Sequence, residues 1–201
     1  MTRLIKKENF DEIVSAVKAG AVVAFPTDTV FGLGVIYSNY QAVENMKAAK
    51  GRDEHKPFPL MVASASQLSE VAFFDEREKR ILEQLTPGAL TLVLKKKDSV
   101  DSKFTNGFDT IAIRIPDDEF VLKLLNAVGP MFVTSANISG QPSCNYDYEV
   151  LQQLNNRADL VVEGQAFSHV ASTIIDCTGS DIVVLRQGDI TIEDINKALT
   201  K

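Results

Sequence analysis

Pro26-Thr27-Asp28-Thr29-Val30-Phe31-Gly32-Leu33-Gly34 follows directly on the apolar run Ala21-Val22-Val23-Ala24-Phe25, and the reading of this junction decides the fold class. A short apolar run of this kind suits a buried strand. Pro26 has no N–H to give to a ladder, so the strand ends there. Three short polar side chains then arrive together, followed by glycines that let the backbone pass close to a neighbour. Loops at strand ends are the usual ligand sites of open α/β folds. The same composition also fits an ordinary Thr/Asp turn, so the stretch gains meaning only from the rest of the chain.

Outward from it, strand and helix patterns interleave. Phe10, Ile13, Val14 and Val17 fall at helical spacing across residues 9–19, with Gly20 as the stop. Residues 32–36 read as a second strand, and Asn39 as the cap of a helix reaching about residue 49. Further strands are expected at 59–63, 90–94, 110–115, 131–133, 159–162, 171–176 and 181–186. Further helices are expected at 76–85, from Asp117 or Asp118 to Gly129, at 147–154, and at 192–199 behind a Thr191 cap. Residues 95–107 are polar and read as an exposed loop or hairpin. With no repeat and no Pro/Gly/Ser linker, residues 1–201 are expected to form one α/β domain.

Composition narrows the classes. The 201 residues are 45% hydrophobic and 24% charged, as in a soluble globular protein. No apolar run approaches the roughly 18 residues of a membrane span, and residues 1–8 hold no apolar stretch suited to a secretory signal. Cys144 and Cys177 lack metal-ligand spacing and read as reduced thiols of a cytoplasmic protein. A net charge of −6 argues against a bulk electrostatic grip on nucleic acid, though a local basic cleft is compatible with it.

Several chemistries are missing. Gly32-Leu33-Gly34 has Tyr37 where a dinucleotide fingerprint needs its third glycine, and no Walker-type phosphate loop exists. Only His55 and His169 are present, so neither a zinc site nor a Ser/His/Asp triad is supported. Three features remain, each with two readings. Lys50, Arg52 and Lys56 form either a solvated face or a polyanion clamp. Residues 134–140 form either plain turns or a backbone-and-hydroxyl cradle for phosphate. Arg114, inside the apolar strand Ile111-Ala112-Ile113-Arg114-Ile115, is either salt-bridged or a carboxylate ligand.

Taken jointly, Pro26 to Gly34, Lys50-x-Arg52 with Lys56-Pro57, Thr134-Ser-Ala-Asn-x-Ser-Gly140 and Ser172-Thr173-x-x-Asp176 resemble the YrdC-type threonylcarbamoyl-AMP synthase family. Pro87-Gly88-Ala89-Leu90-Thr91, Ile113-Arg114-Ile115-Pro116 and Leu185-Arg186-x-Gly188 resemble it too, in the family's order across about residues 10 to 190. The resemblance implies the short, single-domain form: a twisted open mixed sheet with flanking helices around a concave, positively charged cleft. It implies condensation of L-threonine, bicarbonate or CO2 and ATP into threonylcarbamoyl-AMP and pyrophosphate, the first step of threonylcarbamoyladenosine formation in tRNA. Mg2+ would come with ATP, with no dedicated protein metal site. Transferase proteins would be partners, with tRNA contacted only weakly or indirectly and no membrane involved.

By the same resemblance, Lys50, Arg52 and Lys56 are the catalytic positions at the phosphates. Thr29, Arg114, Thr134 and Ser172 hold threonine. Thr110, Ser135, Ala136, Asn137, Ser139, Thr173 and Arg186, with Arg52 and Lys56, hold the nucleotide. Two departures stand out: Ser168-His169-Val170-Ala171 where the family often has a glycine pair, and Gln187 where it often has proline. Two alternatives remain open, an RNA-binding module and a paralogue of the same fold with a different or lost nucleotide-dependent activity.

Overall fold

The computed structural model describes residues 1–51 and 57–200. In chain order these form β1 (Arg3–Ile5), α1 (Phe10–Lys18), β2 (Val23–Phe25), β3 (Gly32–Ile36), α2 (Tyr40–Lys50), β4 (Leu60–Met61), α3 (Ala65–Val71), α4 (Glu76–Leu85) and β5 (Leu90–Lys95). There follow β6 (Thr110–Arg114), α5 (Glu119–Val128), β7 (Met131–Ser135), α6 (Asp147–Leu154), β8 (Leu160–Val162), β9 (Thr173–Asp176), β10 (Val183–Arg186) and α7 (Ile192–Thr200). All ten strands described join one mixed sheet in the order β1-β8-β2-β3-β7-β4-β6-β5-β9-β10.

The cleft arises from strand alternation. Because side chains alternate across a pleat, Phe132, Leu60, Ile113, Leu92 and Ile175 share one face. There they meet Met46, Leu68, Ile81, Val150 and Ile195 from α2, α3, α4, α6 and α7 in the larger core layer. On the other face Phe25, Met131, Val133 and Val162 pack beneath Ile13 and Val17 of α1 and Val121, Leu124 and Leu125 of α5. These two helices cover only part of that face. Over β5, β6 and β9 the alternating residues Thr91, Val93, Ala112, Arg114 and Ile174 line a cavity instead.

Local signals account for most element ends. The Asn39 side chain accepts from Ala42 N at 3.2 Å, and that of Asp118 from Val121 N at 2.9 Å. Thr191 Oγ1 accepts from Asp194 N at 3.2 Å, so all three are side-chain caps. Gly32 and Gly34 make room for Phe25: a Cβ at Gly34 would stand 3.0 Å from its ring, and one at Gly32 2.9 Å from Val133.

The structure corrects the sequence reading in places. Two elements escape it. β1 is three residues long and gains its identity from parallel pairing with β8. α3 is a two-turn polar helix started by Ser64, whose hydroxyl accepts from Gln67 N. The strand expected at 59–63 shrinks to Leu60–Met61, although Pro59 O and Val62 N still pair with Val133 and Arg114. Residues 95–107 are not simply exposed. Val100 and Thr105 are buried, and the Phe104 ring packs at a tilt with its centroid 5.8 Å from that of Phe132, which converts a polar stretch into a core flap.

Asp118 carries a pH signature. Burial raises its pKa above its ordinary value, and nearby Asp28 adds to the rise, whereas Val121 N and Lys7 oppose it. An acid with a raised folded pKa favours folding only while protonated, so its penalty sets in as pH climbs above about 4. Asparagine caps equally well. Asp118→Asn is therefore expected to raise the melting temperature slightly at pH 7, by at most about 2–4 °C, with no gain near pH 3. A melting series against pH checks both ends.

Candidate functional site

A cavity of about 750 Å³ collects residues from the loop after β2, from β7, β6 and β5, and from the segments around Ser172 and Arg186. It brings together Thr29, Arg114, Thr134, Ser135, Ser172 and Arg186, which are distant in sequence.

Arg114 dominates the site and is 6% exposed. Its Nε donates to Gly88 O at 3.1 Å, Nη1 to Thr29 Oγ1 at 2.8 Å and Nη2 to Asp28 Oδ2 at 2.7 Å. A guanidinium has five N–H donors. These contacts fix its plane while leaving two donors beyond them. Burial pulls its pKa below the ordinary value and the Asp28 carboxylate pulls the other way. Arg114 is thus an internal ion pair that also lines the cavity. Asp28 is itself nearly buried, and its Oδ1 has no hydrogen-bond partner among the described residues.

The Thr27–Thr29 loop orders Thr29. Thr27 Oγ1 donates to Val30 O at 2.7 Å and accepts from Thr29 N at 3.1 Å. With its one proton spent, Thr27 can only accept from the Thr29 hydroxyl 3.1 Å away. Thr29 Oγ1 then turns a lone pair to Arg114. The neighbouring segment is laced to this loop, since Phe167 N and Ser168 N donate to Thr27 O and Thr29 O, both at 3.0 Å.

Another wall is a clamp. Arg186 donates from Nε and Nη2 to Ser172 O at 2.9 and 2.7 Å, and from Nη2 to Ser172 Oγ at 3.0 Å. Ser172 Oγ also lies 2.9 Å from Thr91 Oγ1. Burial lowers the Arg186 pKa and the charge of Arg114 lowers it further. Two guanidinium groups close enough to repel form a site that an anion would relieve.

Other expected residues take different places. Lys50 is 2% exposed and does not line the cavity. Its Nζ donates to the carbonyls of Ser135 and Asn137, not toward open space where phosphates could reach it. Arg52 and Lys56 lie outside the described residues. Four amides of the expected phosphate cradle are already committed: Ala136, Asn137, Ile138 and Ser139 all donate inside the protein. Ala136 is fully buried, and Asn137 Nδ2 donates to Ile138 O and Gln141 O at 2.8 Å, holding the loop together. Ser139 is exposed and Thr110 half-buried, and neither lines the cavity. Thr173 is fully buried, donating to Ile190 O at 2.7 Å and accepting from Gly188 N at 2.9 Å. Gln187 donates to Gly188 O and Ile190 O, so this turn is fixed without the family's proline. Burial pushes Cys144 up to about 11 and Cys177 up to about 12, and neither is a nucleophile at neutral pH.

Sequence reading missed Thr91 and Asp28 as site residues. Thr91 had a signal, being the polar exception between Leu90 and Leu92. Asp28 had half of one: a strand-borne arginine needs a carboxylate, but nothing local says which.

A sequence model of the Sua5/YciO/YrdC family, described as telomere recombination, matches residues 15–188. The threonylcarbamoyl-AMP synthase of Pyrococcus abyssi is 37% identical over 186 residues, covering 91% of this chain and 55% of that protein. The synthase of Vibrio cholerae is 40% identical over 189 residues, covering 90% and 98%. The chain therefore spans little more than half the length of the Pyrococcus protein and nearly all of the Vibrio one. The crystal structure of P. abyssi Sua5 complexed with L-threonine superposes with a TM-score of 0.93 at 34% identity, over 98% of this chain and 61% of that one. Every motif that lines the cavity falls inside the matched span, so the site and the ancestry rest on the same residues, and the chain belongs to the Sua5/YciO/YrdC family.

Proposed function

We propose that this protein makes threonylcarbamoyl-AMP from L-threonine, bicarbonate or CO2 and magnesium-bound ATP, releasing pyrophosphate. The observation that carries the reading is Arg114: a buried guanidinium locked by Asp28, Thr29 and Gly88 O with two donors beyond those contacts, at a cavity that also holds Arg186, Ser172 and Thr134. That is a receptor for a small carboxylate with polar neighbours for a hydroxyl. The bound L-threonine named for the Pyrococcus Sua5 structure supports the same choice.

In this reading the threonine α-amine forms a carbamate with CO2, giving up a proton. A carbamate oxygen then attacks the α-phosphorus and pyrophosphate leaves. No covalent enzyme intermediate is needed, so positioning and charge stabilisation do the catalysis. Arg114, Thr29 and Thr134 orient the amino acid, and the Ser135 hydroxyl and Arg186 face the adenylate side. Arg52 and Lys56 meet the phosphates. A cation about 4 Å from a phosphate oxygen contributes on the order of 4 kcal/mol at an effective dielectric near 20. The product passes to transferase proteins that modify tRNA, with tRNA itself contacted weakly or indirectly.

Purified protein is expected to release pyrophosphate from ATP only when threonine, bicarbonate and magnesium are all present. Equal turnover without threonine would mark a plain hydrolase and overturn the proposal.

A further inference from the structure

Two carbonyls of the turn at residues 135–139, those of Ser135 and Asn137, meet a cation supplied by the protein. Lys50 Nζ donates to Ser135 O and, at 2.8 Å, to Asn137 O, and lies 3.5 Å from Asn137 Oδ1. The Lys50 carbonyl, at the last residue of α2, accepts from Ser139 N at 2.9 Å, so one residue grips the turn through side chain and backbone. The amides of the turn are committed elsewhere: Ala136 N to Phe31 O at 2.7 Å, Asn137 N to Ser135 O at 3.0 Å, and Ile138 N to Gln153 Oε1 at 3.0 Å. Burying an ammonium requires oxygen acceptors in place of its water, and this turn supplies them. Thr134, immediately before the turn, and Ser135, its first residue, line the cavity.

We propose that Lys50 is a positioning residue: its ammonium is the internal ion around which the 135–139 turn folds, holding Thr134 and Ser135 on the cavity wall, and it does not itself meet a ligand. Lys50 also ends the helix from which the chain leaves toward Arg52 and Lys56. The proposal uses the synthase reading only to choose ATP as the probe.

The primary test uses the unaltered protein, with an amine-acetylating reagent and lysine-resolved mass spectrometry, with and without magnesium-ATP. Lys50 is expected to react at least about 10-fold more slowly than exposed Lys18 and Lys79, at a rate that ATP does not change. Reaction as fast as Lys18, or protection that appears only with ATP, overturns the proposal, the latter marking a phosphate ligand. Lys50→Met keeps the apolar stem and removes the charge. Without any ligand it is expected to melt about 5–10 °C lower and to bind threonine more weakly, through Thr134. An insoluble variant counts with that loss, and an unchanged melting temperature counts against the proposal. Should the intact protein show no synthase turnover, the reading of function falls, while the acetylation and ligand-free melting results still decide the role of Lys50.

Discussion

Arg114→Lys is expected to weaken L-threonine binding by about 100-fold while changing ATP binding by less than about tenfold. The first figure is the loss of two charge-assisted hydrogen bonds of about 1.5 kcal/mol each. Lysine keeps the charge but not the planar fork. It cannot reach Gly88 O, Asp28 Oδ2 and Thr29 Oγ1 at once, as the guanidinium does. The variant should also melt lower, because Asp28 is left nearly buried with a poorer partner. Stability alone therefore does not separate a site role from a structural one, and the ratio of the two ligand affinities does. Titration calorimetry with each ligand separately measures it. Unchanged threonine affinity in a folded variant would remove Arg114 from the site.

Gly188→Ala should be nearly as damaging, although Gly188 is not among the cavity-lining residues. A Cβ there would stand 2.4 Å from Ala171 O, 2.5 Å from Thr173 N and 2.8 Å from the Ser172 carbonyl carbon. All three are backbone atoms of one segment, so the segment must move as a whole. Thr173 Oγ1 would lose its fit to Gly188 N, and Ser172 would shift under Arg186. Overpacking of this kind costs about 3 kcal/mol, or roughly 6–12 °C of melting temperature for a chain of this size. A displacement near 1 Å at a positioning group typically lowers turnover about 100-fold. Melting curves and pyrophosphate release on the same preparation test both. Full activity at an unchanged melting temperature would show that the Ser172 segment tolerates displacement and does not position substrate.

Much of the architecture was legible because its causes are local. Pro26 ends β2, Asn39, Asp118 and Thr191 start helices with their own side chains, and Gly20 stops α1. Of the residues the sequence singled out, Thr29, Arg114, Thr134, Ser135, Ser172 and Arg186 meet around one cavity. Where the reading failed, the cause was not local. β1 is a strand because β8 lies beside it, and residues 95–107 fold inward because Phe104 finds Tyr37 and Phe132.

By itself the sequence determined the element types, most of their ends, and the set of polar residues with chemistry to offer. Only tertiary structure decided which of them face solvent or a ligand. Alternation in β5 and β6 says that Thr91 and Arg114 stand opposite to Leu92 and Ile113, but not which face α1 and α5 leave uncovered. Lys50 reads as a clamp residue in sequence and is an internal prop in space, because the acceptors that hold it come from residues about 85 positions away. The physical reason is common to these cases. Propensity and capping act within one or two turns of chain, whereas burial, desolvation and the pairing of a charge depend on neighbours that only the folded sheet brings near.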